Sequence, residues 1–156
     1  MKYAMIDPFE VVNGVDVGVS LYTQGCNKRC IGCFNQSAWD MDGGKDYTKD
    51  IEERIITMCG RPGIKRFTIL GGEPLLDRNK EDLINLCINL KDKYPDLTIW
   101  LYTGNIYEDI KEEWKNLLIY VDVLVDGPFE IDKKDLTLPF RGSSNQRIIY
   151  LNKERT

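Results

Sequence analysis

Short apolar runs alternate along this chain with longer segments in which apolar residues recur every three or four positions. Residues 17–23 are rich in β-formers and run directly into Gly25 and Cys26, which predicts a strand that delivers a cysteine loop. From Thr48 onward, Ile51, Ile55, Met58 and Cys59 keep helical spacing, and Gly60 with Pro62 closes that helix. Residues 66–70 form a second apolar run that ends in Gly71 and Gly72. Leu83, Leu86, Cys87 and Leu90 then stand at i, i+3, i+4 and i+7 of a helix, with Asn79 and Asp82 placed as its cap and Tyr94-Pro95 as its stop. Residues 97–103 predict a third strand. Asn105 and Glu108 have capping-box spacing for a helix carrying Ile106, Ile110, Trp114 and Leu117. Residues 121–125 predict a fourth strand, residues 146–151 can form a last one, and residues 40–46 read as a surface loop.

Strands that alternate with helices of this length predict an α/β fold of βα units around a mainly parallel sheet, with residues 1–156 as a single domain. At 156 residues the chain is too short for a complete eight-unit α/β barrel, which takes roughly 250. Gly25, Gly71-Gly72, Gly104 and Gly127 each follow the carboxyl end of a predicted parallel strand. Ligands of parallel α/β sheets bind beyond those ends, so one shared site is expected there.

Composition narrows the chemistry available at that site. The chain has no histidine, which excludes Ser-His-Asp and Cys-His machinery and any metal site that needs imidazole. A net charge of −4 argues against a broad electrostatic grip on nucleic acid. No stretch approaches the roughly 18 apolar residues of a membrane span, and the N-terminus lacks a signal-peptide core. The expectation is a cytoplasmic protein that binds neither nucleic acid nor membrane. Five cysteines in a reducing compartment are not a disulfide framework.

Three of them form a Cys26-x3-Cys30-x2-Cys33 cluster, while Cys59 and Cys87 lie on the apolar faces of predicted helices and read as core filler. A tetrahedral zinc site normally joins two paired knuckles or recruits histidine, and neither second half is present. Three thiolates suit an iron–sulfur cluster with one iron left open to a ligand. A zinc-bound or redox-inert knot is the competing reading of the spacing alone.

The cysteine triad after one strand, with Gly71-Gly72-Glu73-Pro74 after the next, resembles the radical S-adenosylmethionine superfamily. Residues 23–26, 32–39, 100–104, 121–129 and 141–147 narrow the resemblance, across essentially the whole chain, to the activating proteins of anaerobic ribonucleoside-triphosphate reductases. That resemblance implies a compact, incomplete TIM-like barrel. It implies a [4Fe-4S] cluster held by Cys26, Cys30 and Cys33, with S-adenosylmethionine on the fourth iron and cofactor contacts from the Gly71–Glu73 loop. Reductive cleavage of the cofactor would give methionine and a 5′-deoxyadenosyl radical, which takes the α-hydrogen of a glycine on the large subunit of the reductase. Such chemistry asks no acid or base of the chain.

Around the ligand, Gly32 allows close backbone approach beside Cys33, and the Phe34 ring can pack on adenine. Thr103 and Asp126, at the ends of the third and fourth strands, are further candidates for cofactor contact. A flavodoxin- or ferredoxin-like protein would supply the electron. Many members of that family carry a histidine between the first two cysteines where this chain has Lys28, so the surroundings of the cluster, and hence its potential, differ. Two other functions fit parts of the pattern: activation of a different glycyl-radical enzyme of the formate lyase type, and simple electron carriage. A carrier leaves Gly71-Gly72-Glu73-Pro74 unexplained and normally has four cysteines per cluster.

Overall fold

A computed structural model describes residues 1–152 of the chain. The seven strands are β1 (Lys2–Glu10), β2 (Gly18–Thr23), β3 (Lys45–Asp46), β4 (Arg66–Gly71), β5 (Thr98–Tyr102), β6 (Val123–Asp126) and β7 (Arg147–Tyr150). The helices are α1 (Lys49–Cys59), α2 (Lys80–Lys93), α3 (Tyr107–Ile110) and α4 (Lys115–Leu118). All strands join one sheet in the order β3-β1-β2-β4-β5-β6-β7. The central pairs β2–β4, β4–β5 and β5–β6 are parallel, as the alternating pattern predicts. Antiparallel partners close both sides: β1 against β2, β3 against β1, and β7 against β6. The sheet is therefore mixed, with a parallel centre.

β1 escapes the pattern analysis, because Asp7, Pro8 and Glu10 interrupt its apolar alternation and its ladders to β2 and β3 order it. Pro8 is tolerated on a strand whose outer neighbour is the two-residue β3. That short strand lies at the end of the predicted surface loop. The helices need a similar correction. Thr48 caps α1 as expected, its hydroxyl accepting from the Ile51 N–H at 3.3 Å. The box expected at α2 does not form: Asn79 donates to the Pro74 carbonyl at 3.0 Å, and Asp82 accepts from the N-terminal ammonium at 3.0 Å. The Asn105–Glu108 box is likewise replaced, because Asp126 accepts from the Tyr107 N–H at 2.8 Å and the expected long helix breaks into α3 and α4. In each case another partner takes a side chain that the local cap would need.

Strand alternation separates two faces. On one, Val19, Leu21, Phe67, Ile69, Ile99, Leu101 and Leu124 meet the apolar sides of α1, α2 and α4, including Ile55, Leu83, Leu86, Leu90 and Leu117. Cys59 and Cys87 lie in this core, and burial pushes each thiol up to about 12, so both stay protonated. On the opposite face, Trp100, Val123 and Val125 pack with Tyr102, Phe140 and Ile148, under irregular segments rather than helices. No helix among the described residues is long and apolar enough to cross a membrane.

Candidate functional site

The cysteine loop leaves β2 at Gln24 and is clamped shut at its base. The Gln24 amide donates to the Ser37 and Asp40 carbonyls, 3.0 Å to each, and the Gly25 N–H donates to the Ala38 carbonyl at 2.7 Å. Inside the clamp a turn closes with the Cys33 N–H on the Cys30 carbonyl at 3.1 Å. The backbone N–H groups of Lys28 and Asn35 point at the Cys26 and Cys33 sulfurs, 3.4 Å away in each case.

Cys26, Cys30 and Cys33 line one cavity of about 230 Å³ at the carboxyl ends of the parallel strands. Phe34, Gly71, Gly72, Glu73 and Thr103 line it as well, so most of the residues singled out in the sequence come together there. The site is built at the sheet edge where the strand-end glycines led us to expect it.

The Gly71–Glu73 loop also has a structural role beside its place in the cavity lining. A Cβ at Gly72 would run into the Gly25 carbonyl, and one at Gly71, whose φ is +116°, into the Thr23 backbone. Both glycines therefore let the end of β4 pack against the base of the cysteine loop. The Gly72 N–H donates to the Thr23 carbonyl at 3.0 Å and the Glu73 N–H to that of Gly25 at 2.8 Å. The cysteine loop and the glycine loop are one rigid unit.

Glu73 is buried, being 1% exposed. Its Oε2 accepts from the Leu75 N–H at 2.9 Å and the Thr103 hydroxyl at 2.8 Å, and its Oε1 from the Gly104 N–H at 2.7 Å. Burial pushes this carboxyl above the ordinary glutamate value, while those three donors and the Lys28 charge pull it back. Glu73 thus fixes the end of β5 to the end of β4. Thr103 continues the chain of bonds, accepting from the Asn105 N–H and side-chain amide at 3.0 Å each, and Lys28 donates to Asn105 Oδ1 at 2.6 Å.

Two expected site residues lie outside the cavity lining. Gly32 has φ +76°, and a Cβ there would meet Ile131 Cδ1 at 2.7 Å, so it serves a turn that packs on the segment after β6. Both carboxylate oxygens of the buried Asp126 are held by Arg147, and one also accepts from the Tyr107 N–H. Asp126 ties β6 to β7 and α3. Phe34 remains 62% exposed, with its ring centroid 4.9 Å from that of Phe129.

The segment after β6 closes the far wall with Phe129, Arg141, Gly142 and Gln146. The Gln146 side chain pins it, accepting from the Gly142 and Ser143 N–H groups and donating to the Gly127 carbonyl at 3.0 Å. Sequence reasoning used Trp39, Tyr102, Arg141 and Gln146 only within the segments that carry a resemblance, and singled out none of them as a site residue, although all four line the cavity. An isolated polar or aromatic residue at a strand or loop end gives no local pattern to find.

The donor set suits an iron–sulfur cluster. Among the described residues no three His, Cys, Asp or Glu side chains stand together as a site for a lone metal ion. The three thiols border a cavity that has room beside them.

Residues 12–149 match the family described as a 4Fe-4S single cluster domain. The chain is 38% identical over 150 residues to the anaerobic ribonucleoside-triphosphate reductase-activating protein of Vibrio cholerae serotype O1, covering 95% of this chain and 97% of that one. It is 37% identical to the protein of that name from Enterobacteria phage T4, over 95% of this chain and 93% of the relative. With the one from Escherichia coli strain K12 the identity is 35%, over 97% and 99%.

Proposed function

The chain belongs to the family of anaerobic ribonucleoside-triphosphate reductase-activating proteins, and on that premise we propose that it activates such a reductase by raising a glycyl radical on its large subunit. The observation that carries the reading is that Cys26, Cys30 and Cys33 border the same cavity as the Gly71–Glu73 loop and Thr103. The four parallel strands ending on that cavity support the finer description of the fold as an incomplete TIM-like barrel.

In this reading Cys26, Cys30 and Cys33 hold a [4Fe-4S] cluster, and S-adenosylmethionine lies beside it against the Gly71–Glu73 loop. Together these groups supply one-electron cleavage of a sulfonium C–S bond, giving methionine and a carbon-centred radical able to take the α-hydrogen of a glycine. The chain's own residues bind, orient and shield. The N–H groups of Lys28 and Asn35 stabilise charge on the outer two cysteines. Glu73 holds the ends of β4 and β5 in register beneath the ligand. The Phe34–Phe129 pair forms an apolar part of the cavity wall. No side chain moves a proton, which matches a site built without histidine. A flavodoxin- or ferredoxin-like donor would bring the electron.

The test is alanine replacement of each of the five cysteines, followed by anaerobic reconstitution. Cys26→Ala, Cys30→Ala and Cys33→Ala should each lose four-iron content and 5′-deoxyadenosine formation from S-adenosylmethionine, while Cys59→Ala and Cys87→Ala keep both. A cluster lost on replacing Cys59 or Cys87 in a folded protein would overturn the ligand assignment.

A further inference from the structure

Exposed apolar side chains gather at one place beside the cavity. Ile31 stands between two of the cysteines and is 81% exposed, and Phe34, one residue beyond Cys33, is exposed as well. Ile131 is 43% exposed and packs on the same loop, since a Cβ on Gly32 would meet its Cδ1 at 2.7 Å. Gly142 lies against the Phe34 and Phe129 rings, where a Cβ would come within 3.0 Å of the first and 3.2 Å of the second. Phe34, Phe129 and Gly142 line the cavity itself, so the apolar surface continues into it. Single exposed apolar residues are ordinary, whereas a contiguous patch that runs into a pocket marks an interaction site.

The charges around this patch are mostly positive. Lys28 and Arg29 are exposed on the cysteine loop, and the Lys134 ammonium lies 5.3 Å from the centroid of the Phe34 ring. Among the described residues none of the three is in an ion pair: Lys28 rests on Asn105 and Arg29 on the ring of Trp39. Of the carboxylates on the segment that carries Ile131, Glu130 pairs with Lys133 and Asp135 is held by Thr137, which leaves Asp132. A chain of net charge −4 thus turns a cationic, apolar face outward beside the cavity.

If the function proposed above is right, a radical formed in the cavity must meet a glycine carried by another protein. Hydrogen transfer needs the two carbons at about 3–3.5 Å, so the segment bearing that glycine has to enter past this lip. We propose that Ile31, Phe34 and Ile131 seat the glycine-bearing segment of the reductase large subunit. The segment offers apolar side chains next to its glycine, and carboxylates beside them that meet Lys28, Arg29 and Lys134.

Anaerobic calorimetric titration of the cluster-loaded, unreduced protein into the reductase, with S-adenosylmethionine present, tests the assignment without any donor protein. Ile31→Asp and Ile131→Asp should each weaken binding roughly tenfold or more, and Lys134→Glu roughly threefold. Val12→Asp puts the same charge on another exposed apolar residue, in the loop between β1 and β2, and should bind as wild type does. Circular dichroism and iron content establish that each variant is folded and loaded. With a chemical reductant and no reductase, each should still form 5′-deoxyadenosine at the wild-type rate. Unchanged binding by any of the three lip variants, or an equal loss in Val12→Asp, would overturn the assignment while the proposed function stands. Loaded wild-type protein that cleaves the cofactor, yet neither binds the reductase nor raises a radical on it, would overturn the proposed function and this inference with it.

Discussion

The helix-free face of the sheet buries polar groups at both of its ends, in opposite conditions. At the amino end of β4, Arg66 is fully buried and every guanidinium N–H is used. Its Nε donates to the Val15 carbonyl at 3.1 Å, and its Nη1 to the Asn13 carbonyl at 3.1 Å and to the Thr68 hydroxyl. Its Nη2 meets the Glu10 carbonyl at 2.7 Å and the Glu10 carboxylate at 2.6 Å. The loop between β1 and β2 wraps its carbonyls around the charge, and folding alone satisfies this end. At the carboxyl end, the Trp39, Tyr102 and Arg141 donors are buried and unmatched, beside three cysteines that no fold needs there. One end is closed by the chain's own carbonyls; the other borders the cavity to which the proposed function assigns the cluster and cofactor.

The contrast predicts unequal responses to mutation. Arg66→Met should show the largest loss of stability, about 3–5 kcal/mol in urea unfolding, because the Glu10 carboxylate would stay buried without its partner. A loss below about 1 kcal/mol would mean that water already reaches this pair. Glu73→Gln comes next. The new amide must face one of the donors at Leu75, Thr103 or Gly104, which should cost about 1–3 kcal/mol and weaken cofactor binding with it. Unchanged stability would show that Glu73 does not join the two strand ends. Tyr102→Phe should be the mildest, within about 0.5 kcal/mol of wild type or slightly more stable, since its hydroxyl has no partner to lose. A clear destabilisation there would make the carboxyl end as self-satisfied as the amino end and erase the difference.

The two ends were also unequally legible in the sequence. The carboxyl end announces itself through Cys26, Cys30 and Cys33 at close spacing and through glycines after each strand, because chemistry and tight turns restrict residue types locally. The amino end is silent. Arg66 reads as the polar first residue of a strand, and its partners Glu10, Asn13 and Val15 lie more than fifty residues away. The same blindness produced the errors in the helices. Asn79, Asp82, Asn105 and Glu108 carry the right local spacing for caps, but Pro74, the N-terminus, Thr103 and Arg147 claim them. Gly32 and Asp126 lie beside a cysteine and at a strand end, and that proximity does not reveal the neighbours packing gives them, Ile131 and Arg147. Spacing identifies which side chains could cap a helix, and only the folded chain shows which partner, near or far in sequence, takes each one.

The account stands most directly on what the open end does to another protein. Mixing the cluster-loaded chain with S-adenosylmethionine, a low-potential reductant and the anaerobic reductase, without oxygen, allows electron paramagnetic resonance to read the outcome. The account predicts a glycine-centred doublet on the reductase that loses its main splitting when the reductase glycines are deuterated at the α-carbon. Cleavage of the cofactor to 5′-deoxyadenosine with no radical on the reductase would contradict it.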